Sequence, residues 1–287
     1  MFTIIVNPTS GGRKANRVLP QIESILRNRN MVYTLIETPY PTEKEMLAHV
    51  PCGADDTVCI VGGDGTVLNI LNCLPGHEMT LICVPCGTGN DFVKTLKLPP
   101  DPIEAFMKQL DGTRIPIDFA KAGSTYFINI FGTGFDVDVL KRLEAFKIKF
   151  TGQKAYLKAV VQEIKFYKPV KCMVSVDGGE FTEKEVTTLM VGNGQYLGGG
   201  MRAVPNGDPF DGLFNVVEIA PVTKLQLIRF LPRFLKGTHV QLPITKCYAC
   251  KNIRLKADDL EFQLDGEIMS SKEVEIDILH GVLHYKL

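Results

Sequence analysis

Three glycine-rich stretches hold the residues best suited to handling phosphate: Asn7-Pro8-Thr9-Ser10-Gly11-Gly12, Gly62-Gly63-Asp64-Gly65-Thr66, and Pro85-Cys86-Gly87-Thr88-Gly89-Asn90-Asp91-Phe92. Glycine lets a backbone turn with positive φ and approach a ligand closely, and a helix that opens from such a loop directs free N–H groups at an anion. Asp64 and Asp91 stand inside two of these loops. A carboxylate beside a phosphate is repulsive unless a cation intervenes, so the pattern implies a divalent metal, Mg²⁺, held by few carboxylates, by water and by phosphate oxygens. Read singly, each loop is an ordinary helix start with Ser10, Asn90 or Asp91 as cap; three at successive strand ends favour a phosphate surface. No Walker loop occurs, and Gly132-Thr133-Gly134 lacks the third glycine of a dinucleotide fingerprint. Cys83/Cys86 and Cys247/Cys250 have ligand-like spacing, but no third ligand supports zinc, and the eight cysteines read as free thiols.

Buried strands and short helices must position these loops. Phe2–Val6, Met31–Glu37, Thr57–Val61 and Thr80–Val84 read as strands, with helical patterns at Lys14–Arg29, Thr42–Val50, Val67–Cys73 and Asp91–Leu96. Such alternation predicts βαβ units and a parallel sheet covered on both faces, where ligands bind at the carboxyl ends of strands. After Asp118 the pattern turns strand-rich, with runs at 125–131, 170–176, 186–191, 213–219, 251–255, 261–264, 274–279 and 282–285, and helices at Gln153–Tyr167 and Lys224–Lys236. Turn signals at Asp177-Gly178 and Asp265-Gly266 indicate antiparallel hairpins. The expected architecture is an α/β N-terminal domain over residues 1–122 and a β-rich antiparallel domain over 123–287.

The motifs NPTSGG, GGDGTVLN, GTGNDF, GTGFDVDV (Gly132–Val139) and LDGE (Leu264–Glu267) together resemble the diacylglycerol kinase catalytic-domain family, in particular its soluble bacterial lipid kinases. GGDG alone is shared with NAD kinases and phosphofructokinases; GTGNDF followed by a distant DGE narrows the resemblance to the lipid kinases. The resemblance implies a fold of the NAD-kinase and diacylglycerol-kinase type and ATP bound by Asn7, Ser10, Gly11, Thr38, Gly62, Gly63, Asp64, Gly65, Thr66 and Thr88. It implies a catalytic Mg²⁺ near Asp64, Asp91 and Asp118, partly through water. A second, structural Mg²⁺ would use Asp211, with backbone oxygens of Asp208 and Leu213. Glu267 resembles the catalytic base, which would take the proton of a lipid hydroxyl as that oxygen attacks the γ-phosphorus. Taken without the family, Asp265-Gly266 is an ordinary hairpin turn and Glu267 a solvated side chain. Two positions depart from the family pattern, Gly207 and Val93, each where Ala is usual, and both should affect packing more than chemistry.

The resemblance thus implies an ATP- and Mg²⁺-dependent lipid kinase whose acceptor is a lipid alcohol, diacylglycerol foremost. The alternatives are an NAD kinase-like enzyme and a nucleotide- or lipid-binding regulatory protein without turnover. With 32 Lys+Arg against 32 Asp+Glu, the chain lacks the basic excess of a nucleic-acid binder. The charge is uneven: residues 141–171 hold nine cations and two acids, a local +7, interleaved with aromatics. Such a segment suits peripheral contact with an anionic membrane, set against a solvated helix face around a core stripe. The first residues lack a secretory pattern and no apolar run is long enough to span a bilayer, so a cytoplasmic, peripherally membrane-associated protein is expected. Exposed sheet edges in the second domain allow a homodimer.

Overall fold

The computed structural model describes residues 1–38, 47–145 and 152–287. Two compact units emerge, Met1–Asp118 with His280–Leu287, and Phe119–Leu279.

In the first unit β1 (Phe2–Val6), β2 (Thr34–Glu37), β3 (Thr57–Gly62) and β4 (Thr80–Pro85) are parallel, in the order β4-β3-β1-β2. β1 and β4 are buried along their whole length, as continuous apolar runs between two helical layers must be. α1 (Ser10–Asn28) buries Ala15, Val18, Leu19, Ile22 and Leu26, one stripe at helical spacing, against Phe2, Ile4, Val6 and Val61. α2 (Asp64–Cys73) and α3 (Asp91–Thr95) start directly from the second and third glycine loops. The expected helix Thr42–Val50 lies for the most part outside the described residues. α4 (Pro102–Leu110) was not foreseen: its apolar stripe is short, and its start is set by Asp101, whose carboxylate accepts N–H from Ile103 and Glu104 at 2.9 and 3.0 Å, with Pro102 in the first turn.

The second unit is antiparallel. After β5 (Arg114–Ala122) come β6 (Thr125–Phe127), β7 (Ile130–Gly134), β8 (Val170–Val176), β9 (Thr182–Val186), β10 (Thr188–Gly192), β11 (Phe214–Ile219), β12 (Thr245–Cys250), β13 (Asn252–Leu264) and β14 (Glu267–Lys286). The order is β12-β11-β10-β7-β13-β14, with β8 on β13 and β9 on β8. The expected run 125–131 is broken because Ile128, Asn129 and Ile130 give their N–H groups to the Asp265 carboxylate. Runs 251–255 and 261–264 join into β13 across a register shift between Lys256 and Leu260. Three helices, α5 (Phe135–Ala145), α6 (Gly152–Glu163) and α7 (Lys224–Lys236), pack around Phe135, Tyr156, Val160, Ile164, Tyr167 and Met201. α7 begins with a capping box, Thr223 with Gln226, and ends on Gly237 at φ 73°, so both its termini match the sequence expectation.

The expected boundary near 122 falls inside β5, and residues 280–287, expected in the second domain, group with the first unit. Their apolar side chains explain this: Leu283 and Tyr285 are buried, and His284 and Tyr285 pair in parallel with Thr80 and Leu81 of β4. Thr113 and Leu287 exchange backbone hydrogen bonds of 3.0 and 3.2 Å, and Tyr285 Oη donates to Gln109 Oε1. Gln109 in turn accepts from Cys83 N–H at 2.7 Å and donates to its carbonyl at 2.8 Å, so a buried amide is satisfied on a sheet strand. Among the described residues no helix is long and apolar enough to cross a membrane.

Candidate functional site

The three glycine loops meet through backbone. Gly11, Gly12 and Arg13 follow one another with φ of 55°, 65° and 70°, a left-handed run that explains two consecutive glycines. A Cβ on Gly11 would stand 1.8 Å from the Cys86 carbonyl oxygen. Gly63 and Gly87 face each other so closely that a Cβ on Gly87 would lie 2.5 Å from the Gly63 Cα, and one on Gly63 2.8 Å from the Gly87 Cα. These contacts draw the ends of β1, β3 and β4 into one surface. Around it, Asn7 is buried with its Oδ1 accepting from Thr9 N–H at 3.1 Å, and the Ser10 and Thr66 hydroxyls lie 3.3 Å apart. Thr38 is buried, its N–H bonded to the Val6 carbonyl at 2.9 Å, while Thr88 is exposed on the third loop. The sequence reading passed over Arg13 and Lys14, cations that follow the glycines directly; Lys14 Nζ donates to the Pro85 carbonyl at 3.4 Å. Their signal was in the string GGRK.

The three candidate metal-binding acids of this unit, Asp64, Asp91 and Asp118, are each engaged. Asp64 Oδ2 accepts from Asp91 N–H at 2.8 Å and Oδ1 from Phe92 N–H at 3.1 Å, so the second loop's carboxylate caps the helix that follows the third. Burial, then the neighbouring charge of Asp91, push the Asp64 carboxyl above its usual range, and the two N–H bonds oppose this. Asp91 is 6% exposed and pairs with Lys94 Nζ at 3.0 Å. Asp118 is 1% exposed and accepts from His280 Nδ1 at 2.6 Å, a partner nothing in the sequence pointed to. Among the described residues no three His, Cys, Asp or Glu side chains are grouped to hold an ion. Asp64 and Asp91 adjoin, and with oxygens already taken by backbone and side-chain donors they could serve only an ion that keeps its waters, as Mg²⁺ does. The glycine contacts that leave no room for a Cβ pack one loop on another, whereas at Gly12 and Gly65 a Cβ would meet nothing within 4 Å, so those backbones stay open to a ligand such as a phosphate group.

In the second unit the LDGE segment is a two-residue hairpin turn, Asp265 and Gly266 at φ 49° and 97°, joining Leu264 to Glu267. Its acid is far from ordinary. Asp265 accepts three consecutive backbone N–H groups, Ile128 at 2.7 Å, Asn129 at 2.9 Å and Ile130 at 2.8 Å, while its own N–H bonds to the Ile130 carbonyl at 3.1 Å. Gln263 Oε1 takes the Gly266 N–H at 2.8 Å. Glu267, the first residue of β14, is exposed from a turn clamped at both central residues. Asp208 and Asp211 are exposed, each closing a short turn onto a backbone N–H, Phe210 at 3.2 Å and Leu213 at 3.0 Å. Gly207, where Ala is usual, is required by packing: a Cβ would stand 2.3 Å from the Gly194 carbonyl oxygen.

The same unit holds an apolar cavity of about 60 Å³, walled by Phe135, Val139, Tyr156, Met201, Leu231 and Phe234 among others. Buried Asp136 lies at its edge, taking the Thr188 hydroxyl at 2.9 Å. Burial pushes this carboxyl from 3.8 up to about 6, against the pull of Thr188 and Gln263. The native state therefore binds the proton more tightly than the unfolded chain, and stability falls as pH rises from 3.8 through 6. Asp136→Asn removes that loss; urea unfolding should show a gain of order 3 kcal/mol at pH 8 and none at pH 4. Equal shifts at both pH values would refute it.

Among the aromatics of the 141–171 segment, Tyr156 on α6 and Tyr167 just beyond it are core residues, packed with Ala159, Val160 and Ile164 as the core-stripe alternative has them. Phe166 is 63% exposed; residues 146–151, with Phe146, Lys147, Ile148, Lys149 and Phe150, lie outside the described residues. All eight cysteines are free, and burial raises the Cys83 and Cys86 thiols above their usual range.

Comparison with known proteins covers the whole of this architecture. The family model of the diacylglycerol kinase catalytic domain matches residues 1–122. That of the YegS C-terminal NAD kinase beta sandwich-like domain matches 129–285. A diacylglycerol kinase of Mycobacterium tuberculosis is 27% identical over 288 residues, 98% of this chain and 93% of that protein. A YegS-like lipid kinase of Pectobacterium atrosepticum is 27% identical over 294 residues, 99% and 95% of the two chains. The crystal structure of a diacylglycerol kinase from Bacillus anthracis superposes with a TM-score of 0.71 at 23% identity, covering 99% of this chain and 96% of the other. A second crystal structure from that organism gives 0.81 at 25%, covering 99% and 94%.

Proposed function

Because the chain belongs to the family of lipid kinases that joins a diacylglycerol kinase catalytic domain to a YegS C-terminal domain, we propose that it transfers the γ-phosphate of ATP to the hydroxyl of diacylglycerol in a Mg²⁺-dependent reaction. That the chain is a lipid kinase follows from the family; the acceptor, the metal and the residue roles are the reading supported by the site. The observation that favours a lipid acceptor is the lining of the cavity of the second unit, about 60 Å³ with walls mainly of Phe, Leu, Met and Val. Hydrocarbon gains from such a surface, whereas the ribose and phosphates of NAD would lose hydration there without return.

In this reading the Gly62–Thr66 loop, with Asn7, Ser10, Gly11, Thr38 and Thr88, holds the nucleotide phosphates by backbone N–H and hydroxyl groups. Asp64, Asp91 and Asp118 would hold a hydrated Mg²⁺, and Asp211, with backbone oxygens of Asp208 and Leu213, would hold a second, structural ion. Bound Mg²⁺ supplies neutralisation of charge on the transferring phosphoryl group. Glu267 accepts the proton of the lipid hydroxyl as its oxygen bonds to the γ-phosphorus and the bond to the bridging oxygen breaks. Asp265 holds the turn that presents Glu267. Hydrocarbon next to the reacting hydroxyl meets the apolar lining of the cavity, and cations of the 141–171 segment favour an anionic bilayer.

Transfer of labelled γ-phosphate to dioleoylglycerol, phosphatidylglycerol, a polyprenol, sphingosine and NAD, each with Mg²⁺ or with chelator, tests the assignment. Dioleoylglycerol should be the preferred acceptor, chelator should stop the reaction, and Asp64→Ala should lower the rate by about 100-fold or more. Preference for NAD would establish the NAD kinase alternative. ATP binding without transfer to any acceptor would establish a regulatory protein.

A further inference from the structure

α7 is a helix without a buried residue. Its inner side, through Leu227, Phe230, Leu231 and Phe234, lines the apolar cavity. Its outer side is equally apolar in part: Leu225 is 57% and Ile228 54% exposed. At 100° per residue Ile228, Pro232 and Leu225 fall in a sector of about 60°, with Lys224 on one flank and Lys236, Arg229 and Arg233 on the other. The helix has four cations and no acid, and from Ala220 to Ala257 the chain contains eight Lys or Arg and no Asp or Glu. Phe166, 63% exposed, extends this face, because Lys224 Nζ donates to the Lys165 carbonyl and Arg142 lies 5.0 Å from the Phe166 ring centroid.

The geometry points to the outer face of α7, with Phe166, as a docking surface for an anionic phospholipid bilayer. An apolar ridge flanked by long cationic side chains is the arrangement that lies in a membrane interface: the ridge enters the acyl boundary while the cations extend to headgroup phosphates. The helix itself presents four cations and no acid, which complements an anionic surface. One helix then touches the bilayer on one side and the hydrocarbon cavity on the other. This inference goes beyond the lipid-kinase reading and does not need turnover to be tested.

Sedimentation of the full chain with vesicles of phosphatidylcholine containing 30% phosphatidylglycerol, and with phosphatidylcholine alone, measures the docking. The protein should bind the anionic vesicles and leave them as salt rises. Leu225→Asp with Ile228→Asp should lower binding at least tenfold, and Arg229→Gln with Arg233→Gln roughly 30-fold; circular dichroism and sedimentation velocity check that each variant is folded and of unchanged mass. Phosphorylation of a short-chain diacylglycerol below its micellar concentration should stay at the wild-type level in both variants, which separates docking from catalysis. Unchanged vesicle binding in both variants, or binding indifferent to phosphatidylglycerol, overturns the inference. A dimer dissolved by the Asp substitutions, with vesicle binding intact, also overturns it and assigns the face to a second copy of the chain.

Discussion

Glu267→Gln is expected to reduce kcat for lipid phosphorylation by about 10²- to 10⁴-fold while KM for ATP and thermodynamic stability stay at wild-type values. The size follows from losing a positioned proton acceptor in a reaction whose nucleophile is an unactivated hydroxyl. Glutamine keeps the shape of the side chain and cannot take the proton. Stability is spared because Glu267 is exposed at the first position of β14, where substitutions shift stability by no more than about 0.5 kcal/mol. The nucleotide groups assigned above all belong to Met1–Asp118, so ATP affinity has no reason to change. Steady-state kinetics with urea unfolding separate the outcomes. A kcat within threefold of wild type would return Glu267 to the role of a solvated hairpin residue.

Asp265→Ala should be the most damaging single change in the second unit. It removes the acceptor of three backbone N–H groups, on residues 0%, 3% and 0% exposed. A buried donor left without a partner costs about 1–3 kcal/mol, so a loss of about 3–6 kcal/mol is expected, a large share of what holds an ordinary domain. Asp265→Asn keeps the oxygen that serves Asn129 and Ile130 and sets an amide against the Ile128 N–H, so it should fall short of that loss by half or more. Urea midpoints rank the three proteins, and kcat of the folded Asn variant reports how far the turn positions Glu267. Equal midpoints for wild type and Asp265→Ala would show that the clamp contributes nothing.

The contrast between Glu267 and Asp265 shows what a chain discloses about itself. Glu267 draws notice in the sequence because DGE stands in a motif, and its role is the one the Gln variant tests; Asp265 reads as turn punctuation, because its partners are N–H groups 135 to 137 residues away and carry no side-chain signature. Asp64 was likewise legible as a carboxylate among glycines, but its service as the cap of α3 depends on which loops meet. Elements with strong local signals came through with their limits nearly intact: β1, β4, and α7 with both caps. α5 escaped because it follows Gly132-Thr133-Gly134 without a break, its first residues Phe-Asp-Val-Asp-Val alternating as a strand would. The cavity had no linear signature, being walled by residues from α5 to β12.

The return of His280–Leu287 to the first unit has a bearing on biosynthesis. A ribosome completes β1 to β4 early, yet the strand beside β4 and the phenol that meets Gln109 belong to residues made only after all of Phe119–Leu279. The nascent first unit therefore waits with an open strand edge, an aggregation hazard, while some 160 residues are synthesised. Phosphate-loop geometry and the late strand are coupled through Cys83, since Gln109 binds both Cys83 and Tyr285. Emergence of His280–Leu287, rather than of the glycine motifs, is then the event that closes the sheet of the first unit.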